Sequence, residues 1–365
     1  MSFWIFVAAA FALTAVFILV LRPLAIAMGL VDRPTARKTH EGEIPLIGGI
    51  SIYLGTGAAL LLSVLLSEQG RELVLPIGIF LTGGFILIFV GIWDDLRDLP
   101  PAARFIAQVA AALVMILGGG PVISNLGALS PDGSIVSTGI FAIPFTVFVT
   151  VGVINAINMS DGLDGLCGNL TMVSLLGLGS AASLWSNTPD FQLINVFSAA
   201  VAGFLVFNQR MIWRPRAMVF LGDAGSMLLG FILAWFTIEI SQATVNAVSP
   251  AAALWFVALP VMDTVGVMLR RLLSGLSPFH ADSQHLHHLL IRSGFSVAET
   301  ILTLGLCAVA GIMVGLMGTW LDIPDLLLAG LFLATGIAMF SLTYTSWQRQ
   351  SFLGRRLNAP GTPSE

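Results

Sequence analysis

The sequence predicts an all-α polytopic membrane protein with about eleven transmembrane helices, and three observations carry that reading. Of 365 residues, 56% are hydrophobic and only 10% are charged, against roughly 25% charged in an ordinary soluble domain. Mean hydropathy is +0.93. Charge-poor runs of about 20 residues, enough to cross a bilayer core of about 30 Å, recur along the chain. The soluble, disordered and disulfide-rich classes are excluded by the same composition. A net charge of −4 argues against a nucleic-acid partner. Cys167 and Cys307 lack metal-ligand spacing and read as small buried hydrophobes.

The expected spans are 3–21, 46–66, 74–93, 103–120, 139–157, 166–185, 191–208, 218–239, 250–269, 298–318 and 325–345. The first is not expected to be a cleaved signal peptide, because no basic residue precedes it and Arg22 follows it. The run at 139–157 is the weakest, being interrupted by Pro144 and closed by Asn155 and Asn158. Positive charge after the first span predicts an N-terminus outside and a cytoplasmic C-terminus. Alternation then puts every lysine and arginine except Arg71 on the inner side, together with all five histidines. Residues 1–348 read as one transmembrane catalytic domain and 349–365 as a flexible cytoplasmic tail.

Polar residues at the inner span ends carry the candidate chemistry. Asp94 and Asp95 are adjacent carboxylates, costly together unless a cation lies between them. The run from Asn155 and Asn158 to Asp161-Gly-Leu-Asp164-Gly165 puts amides, carboxylates and glycines between two apolar spans. That is a higher polar density than a simple turn needs. Phe220-Leu-Gly222-Asp223 opens the eighth span, where an unpaired Asp is expensive. Asp263 precedes Arg270-Arg271, and a salt bridge to those arginines is an equal reading. His285, His287 and His288 cluster in the last inner loop without cysteine, which favours a phosphate over zinc. Lys38, the only lysine, and His40 precede Pro45-Leu-Ile-Gly48-Gly49, a sensible diphosphate cradle. Carboxylates and cations converging on one membrane face are the inventory of Mg²⁺-assisted phosphoryl transfer. The rival class is a transporter, which would hold charge near the midplane on repeated, broken helices; no repeat is visible.

These motifs, in this order over residues 30–295, resemble the polyprenyl-phosphate N-acetylhexosamine-1-phosphate transferases. Pro260-x-x-Asp263, Arg270-Arg271, Ser277-Pro-Phe and Gln284-His285-Leu-His287-His288-Leu are similar to the WecA branch. The MraY branch would carry an uninterrupted histidine triplet, which Leu286 breaks here. The resemblance implies transfer of GlcNAc-1-phosphate from UDP-GlcNAc to undecaprenyl phosphate with release of UMP. The product is then the first lipid-linked sugar of a surface glycan, made at the cytoplasmic face of a bacterial inner membrane. It implies Mg²⁺ as cofactor, with Mn²⁺ able to substitute. By position, Asp223 is the implied metal ligand, with Asp94 and Asp95 the catalytic pair beside it. Asp161 and Asp164 fall on the nucleotide and metal side. Phe220 is the implied uracil-stacking aromatic. Arg104, in Arg104-x-x-x-Gln108, is placed to hold the lipid phosphate, and His285, His287, His288 and Arg271 to meet the sugar diphosphate.

Overall fold

A computed structural model describes residues 3–33, 42–186, 188–211, 214–243, 248–277 and 284–357. Lys38 and His40 lie outside the described residues. Among the described residues, apart from one antiparallel pair of two-residue strands, β1 (Val31–Asp32) and β2 (Ile44–Pro45), all the regular structure is helical. The helices are α1 (Trp4–Met28), α2 (Gly48–Leu66), α3 (Glu68–Glu72), α4 (Val74–Arg97), α5 (Pro101–Leu117), α6 (Ala142–Met159) and α7 (Leu166–Ala181). They continue with α8 (Thr188–Asn208), α9 (Gly222–Gln242), α10 (Pro250–Ala253), α11 (Ala258–Leu273), α12 (Leu286–Arg292), α13 (Val297–Trp320) and α14 (Asp325–Leu357).

Among the described residues, ten helical segments are long and apolar enough to cross a membrane, one fewer than the expected eleven. The exception is α5, whose 17 residues make about 26 Å at 1.5 Å per residue. Its expected end at residue 120 overshoots, because Gly118-Gly119-Gly120 ends the helix, with Gly119 at a φ of +95°. Short as it is, α5 runs back along α4: Arg104 lies beside Asp94 at one end, and Gly118 packs on Ile79 at the other. The weak span forms as Gly139–Met159, since Pro144 falls in the first turn of α6, where a missing N–H breaks no helical bond. Cys167 is buried as expected, but Cys307 is exposed on α13.

The central helix is α9. Buried residues make up 94% of its apolar window, against 22% for α1 and 11% for α14. Apolar around its whole circumference, it is sheathed by α2, α4, α6, α7 and α10. Small residues set how close those neighbours come. A Cβ on Gly91 of α4 would strike the Cα of Ala224, and one on Gly49 of α2 would strike the Cα of Gly225. Both contacts fall on the two residues after Asp223, so two helices reach the first turn of α9 at close range. The segment before α9 is tied in as well: the Phe220 N–H donates to Pro45 O at 2.8 Å, and the Gly48 N–H to Phe220 O at 2.9 Å.

Candidate active site

Gly91 delivers α4 against α9, and Asp94, one turn further on, arrives beside Asp223. Asp94 is 6% exposed. Its Oδ1 accepts from the Leu99 N–H at 2.7 Å, and its Oδ2 lies 3.2 Å from Nη1 of Arg104. The same Nη1 is 3.7 Å from Oδ2 of Asp223. Arg104, at the start of α5, therefore bridges the two acids. Asn158 donates from Nδ2 to Asp223 Oδ1 and to Ser226 Oγ, both at 2.7 Å, which orients the remaining Asp223 oxygen. Asn155 points elsewhere, donating to Gln108 Oε1 at 2.7 Å and to Val151 O at 2.8 Å. It thereby braces α5 against α6 one turn deeper than Arg104.

Asp95 turns away from its neighbour. Its Oδ1 accepts the Asp223 backbone N–H at 3.0 Å, at the positive end of the α9 dipole. Its Oδ2 is packed beside Gly222 without a hydrogen-bond partner among the described residues. The adjacent carboxylates thus meet different surroundings, Asp94 a cation and Asp95 a helix end.

The segment between α6 and α7 holds the second pair of acids. Asp164 Oδ2 accepts from Arg210 Nε at 2.8 Å and from the Ala217 N–H at 3.3 Å. Asn208, buried, accepts the Gly165 N–H at 2.9 Å and donates to Val219 O at 2.9 Å. Together they fasten this segment to the chain leading into Phe220. Neither Arg210 nor Asn208 stood out as a site residue in the sequence. The available signal was an Asn and an Arg closing the apolar run of α8. Asp161 opens onto solvent at its side chain, yet lies in a dense part of the fold. Desolvation by the surrounding protein, then the charges of Asp223 and Asp164, push its carboxyl up to about 7. That excess of negative charge is what a divalent cation relieves.

The histidine segment closes over the same place. His287 is 2% exposed, and its Nε2 has no hydrogen-bond partner among the described residues. It abuts Gly162 so closely that a Cβ there would collide with Nε2. The rings of His285 and His287 are parallel at 5.8 Å, and those of His287 and His288 are 4.1 Å apart. Arg270 and Arg271 are buried in the last turn of α11. The oxygens of Asp263 take His285 and the start of α12.

Burial, then His288 and His285, push His287 down to about 3. It is therefore a neutral hydrogen-bonding group at neutral pH. The stability it contributes is fully present above the ordinary value of 6.5 and declines as pH falls through that value towards about 3. Thermal unfolding in detergent should show decreasing stability on acidification, and His287→Asn should flatten that slope. An unchanged slope in the variant would contradict the buried, neutral assignment.

The acids implied to lie on the metal side, Asp94, Asp161 and Asp223, do not close around one point. Among the described residues, no three His, Cys, Asp or Glu side chains form a metal cage. Asp94 and Asp223 alone converge, on either side of one Arg104 nitrogen. Mg²⁺ is commonly held by one or two carboxylates, with waters and substrate phosphates completing an octahedron. The pair fits that ion, and the stacked histidines do not resemble a zinc site.

A model of glycosyl transferase family 4 matches residues 77–241, from α4 through α9. Full-length relatives extend the likeness. Undecaprenyl-phosphate alpha-N-acetylglucosaminyl 1-phosphate transferase of Escherichia coli strain K12 is 34% identical over 97% of this chain and 96% of the relative. The proteins of that name from Yersinia pestis and Haemophilus influenzae are 34% and 33% identical, over 94% and 91% of this chain and 92% and 93% of theirs. The chain belongs to glycosyl transferase family 4. The family 4 match contains Asp94, Asp95, Arg104, Asp161, Asp164 and Asp223 and stops before Asp263. The histidine segment is covered only by the full-length relatives.

Proposed function

We propose that this family 4 enzyme transfers GlcNAc-1-phosphate from UDP-GlcNAc to undecaprenyl phosphate, releasing UMP. The observation that carries the reading is the Asp94–Arg104–Asp223 bridge, set beside a stacked histidine row at one end of the bundle. The activity named for the Escherichia coli relative, aligned over 97% of the chain, supports this donor and acceptor. That end faces the cytoplasm of a bacterial inner membrane, a reading supported by the bias of lysine and arginine toward the inner span ends.

An oxygen of the lipid phosphate attacks the phosphorus that carries the sugar. The bond between that phosphorus and the bridging oxygen breaks, and UMP leaves with the oxygen. Arg104 holds the attacking phosphate, and Asp94 accepts its proton where one is present. Asn158 keeps Asp223 oriented, and the stacking face of Phe220, with Asp161 and Asp164, holds the nucleotide. His285, His287, His288, Arg270 and Arg271 grip the sugar diphosphate, with Lys38 and His40 on the cradle side. Asp223 and Asp94 would hold Mg²⁺, which when bound neutralises the diphosphate charge. Phosphoryl transfer runs with the attacking and leaving oxygens roughly in line, so positioning and charge do most of the chemistry.

Purified protein should release UMP from UDP-GlcNAc only when given both undecaprenyl phosphate and Mg²⁺, and should prefer UDP-GlcNAc in competition with other UDP-N-acetylhexosamines. Preference for another donor would overturn the GlcNAc assignment. Exchange of UMP into UDP-GlcNAc without lipid would overturn the single displacement.

A further inference from the structure

Asp263 presents no free carboxylate oxygen to a substrate. On α11, 8% exposed, it accepts from Nδ1 of His285 at 2.9 Å through Oδ2 and from the Leu286 backbone N–H at 3.0 Å through Oδ1. His285 stands at the N-cap of α12 and makes no side-chain cap of its own. One carboxylate, reaching across from another helix, thus caps α12 and holds the ring that begins the histidine row. An ionised carboxylate only accepts hydrogen bonds, so the contact requires a proton on Nδ1. A neutral imidazole has a single N–H, and Nε2 of His285 is then a bare acceptor. The parallel stacking of His285 on His287 carries that ring orientation along the row, to the point where His287 meets Gly162.

We propose that Asp263 is a positioning residue: it fixes the Nδ1–H tautomer of His285, so that Nε2 accepts a hydrogen bond from a hydroxyl or N–H of the donor sugar. This rests on the proposed UDP-sugar donor for its second half only; the tautomer is a property of the protein alone. The same device steadies ring nitrogens in metal sites, where a carboxylate selects which nitrogen works. Here it selects an acceptor for a neutral sugar group rather than a metal ligand.

The experiment uses Asp263→Asn in the full-length chain. An amide of the same shape keeps one accepting oxygen; the Leu286 N–H can only donate, so that oxygen stays on it, and the amide NH2 then faces Nδ1, which must accept. Selective ¹⁵N-histidine labelling is tractable with five histidines, and His285→Gln identifies the resonance. Spectra are recorded at alkaline pH, above the ordinary imidazole range. Wild type should show His285 protonated at Nδ1, and the variant should shift the proton toward Nε2. Donor KM should rise about tenfold, the worth of one hydrogen bond to a well-placed group, with lipid KM and thermal stability unchanged. In a His285→Gln background, Asp263→Asn should add no further effect on donor KM.

Three results would overturn the proposal: an Nδ1 proton retained in the variant, an unchanged donor KM despite a shifted tautomer, or equal losses in donor and lipid KM with a lower melting temperature. If wild-type protein failed to turn over UDP-GlcNAc at all, the donor reading would fall. The spectra would still decide whether Asp263 sets the tautomer.

Discussion

Asp223→Asn should remove Mg²⁺-dependent UMP release by about 10³-fold or more, because a metal ion's charge stabilisation is worth several kcal/mol and each 1.36 kcal/mol is tenfold. The substitution keeps the shape of the side chain. Asn158 still finds an oxygen to donate to, Ser226 keeps its own bond, and the Asp94–Arg104 contact is untouched. The fold is therefore expected to survive, with thermal unfolding close to wild type. What disappears is half of the carboxylate pair that shares Arg104 between α4 and α9. A variant that still turned over at wild-type rate across a Mg²⁺ titration would refute the metal assignment. A variant that lost its melting transition would instead show that Asp223 holds the bundle together.

The second large effect is expected at an uncharged contact, the crossing of α4 and α9. Gly91→Val puts a branched side chain where a Cβ already collides with the Cα of Ala224. Helices α4 and α9 must separate, and overpacking of this kind costs about 1–3 kcal/mol. The functional loss should be larger than the stability loss. Asp94 rides on the displaced end of α4, and a misplacement of about 1 Å can cost about 10²-fold in rate. Gly78→Ala on the same helix is the control, since nothing lies within 4 Å of a Cβ there. Activity should fall at Gly91 and persist at Gly78. Equal activities would show that the close approach of α4 to α9 does not place the acids.

Much of the fold was legible in the sequence because apolar length is a local property. Each expected span corresponds to an apolar helix, and the errors lie where a local breaker was underweighted. Gly118 to Gly120 shortened α5, and Pro144 proved harmless because it falls in a first turn. The site motifs were legible for a related reason: acids, amides and glycines are conspicuous between apolar runs. Their number and order mark out chemistry, and family membership agrees with that. Which motif residue does which task was less legible. Arg210 looked like one more inner-side cation, and only its contact with Asp164 ties it to the site.

By itself, then, the sequence determined an apolar helical bundle and the set of polar residues gathered at its span ends, since both follow from short stretches of chain. The tertiary structure alone decided how those residues divide the work. Neighbours on a helix point about 100° apart, so Asp94 meets Arg104 while Asp95 meets a backbone N–H 128 residues away. Asp263 likewise had arginines a few positions along its own helix and instead took the start of α12. A carboxylate is defined by what it faces, and what it faces comes from another helix.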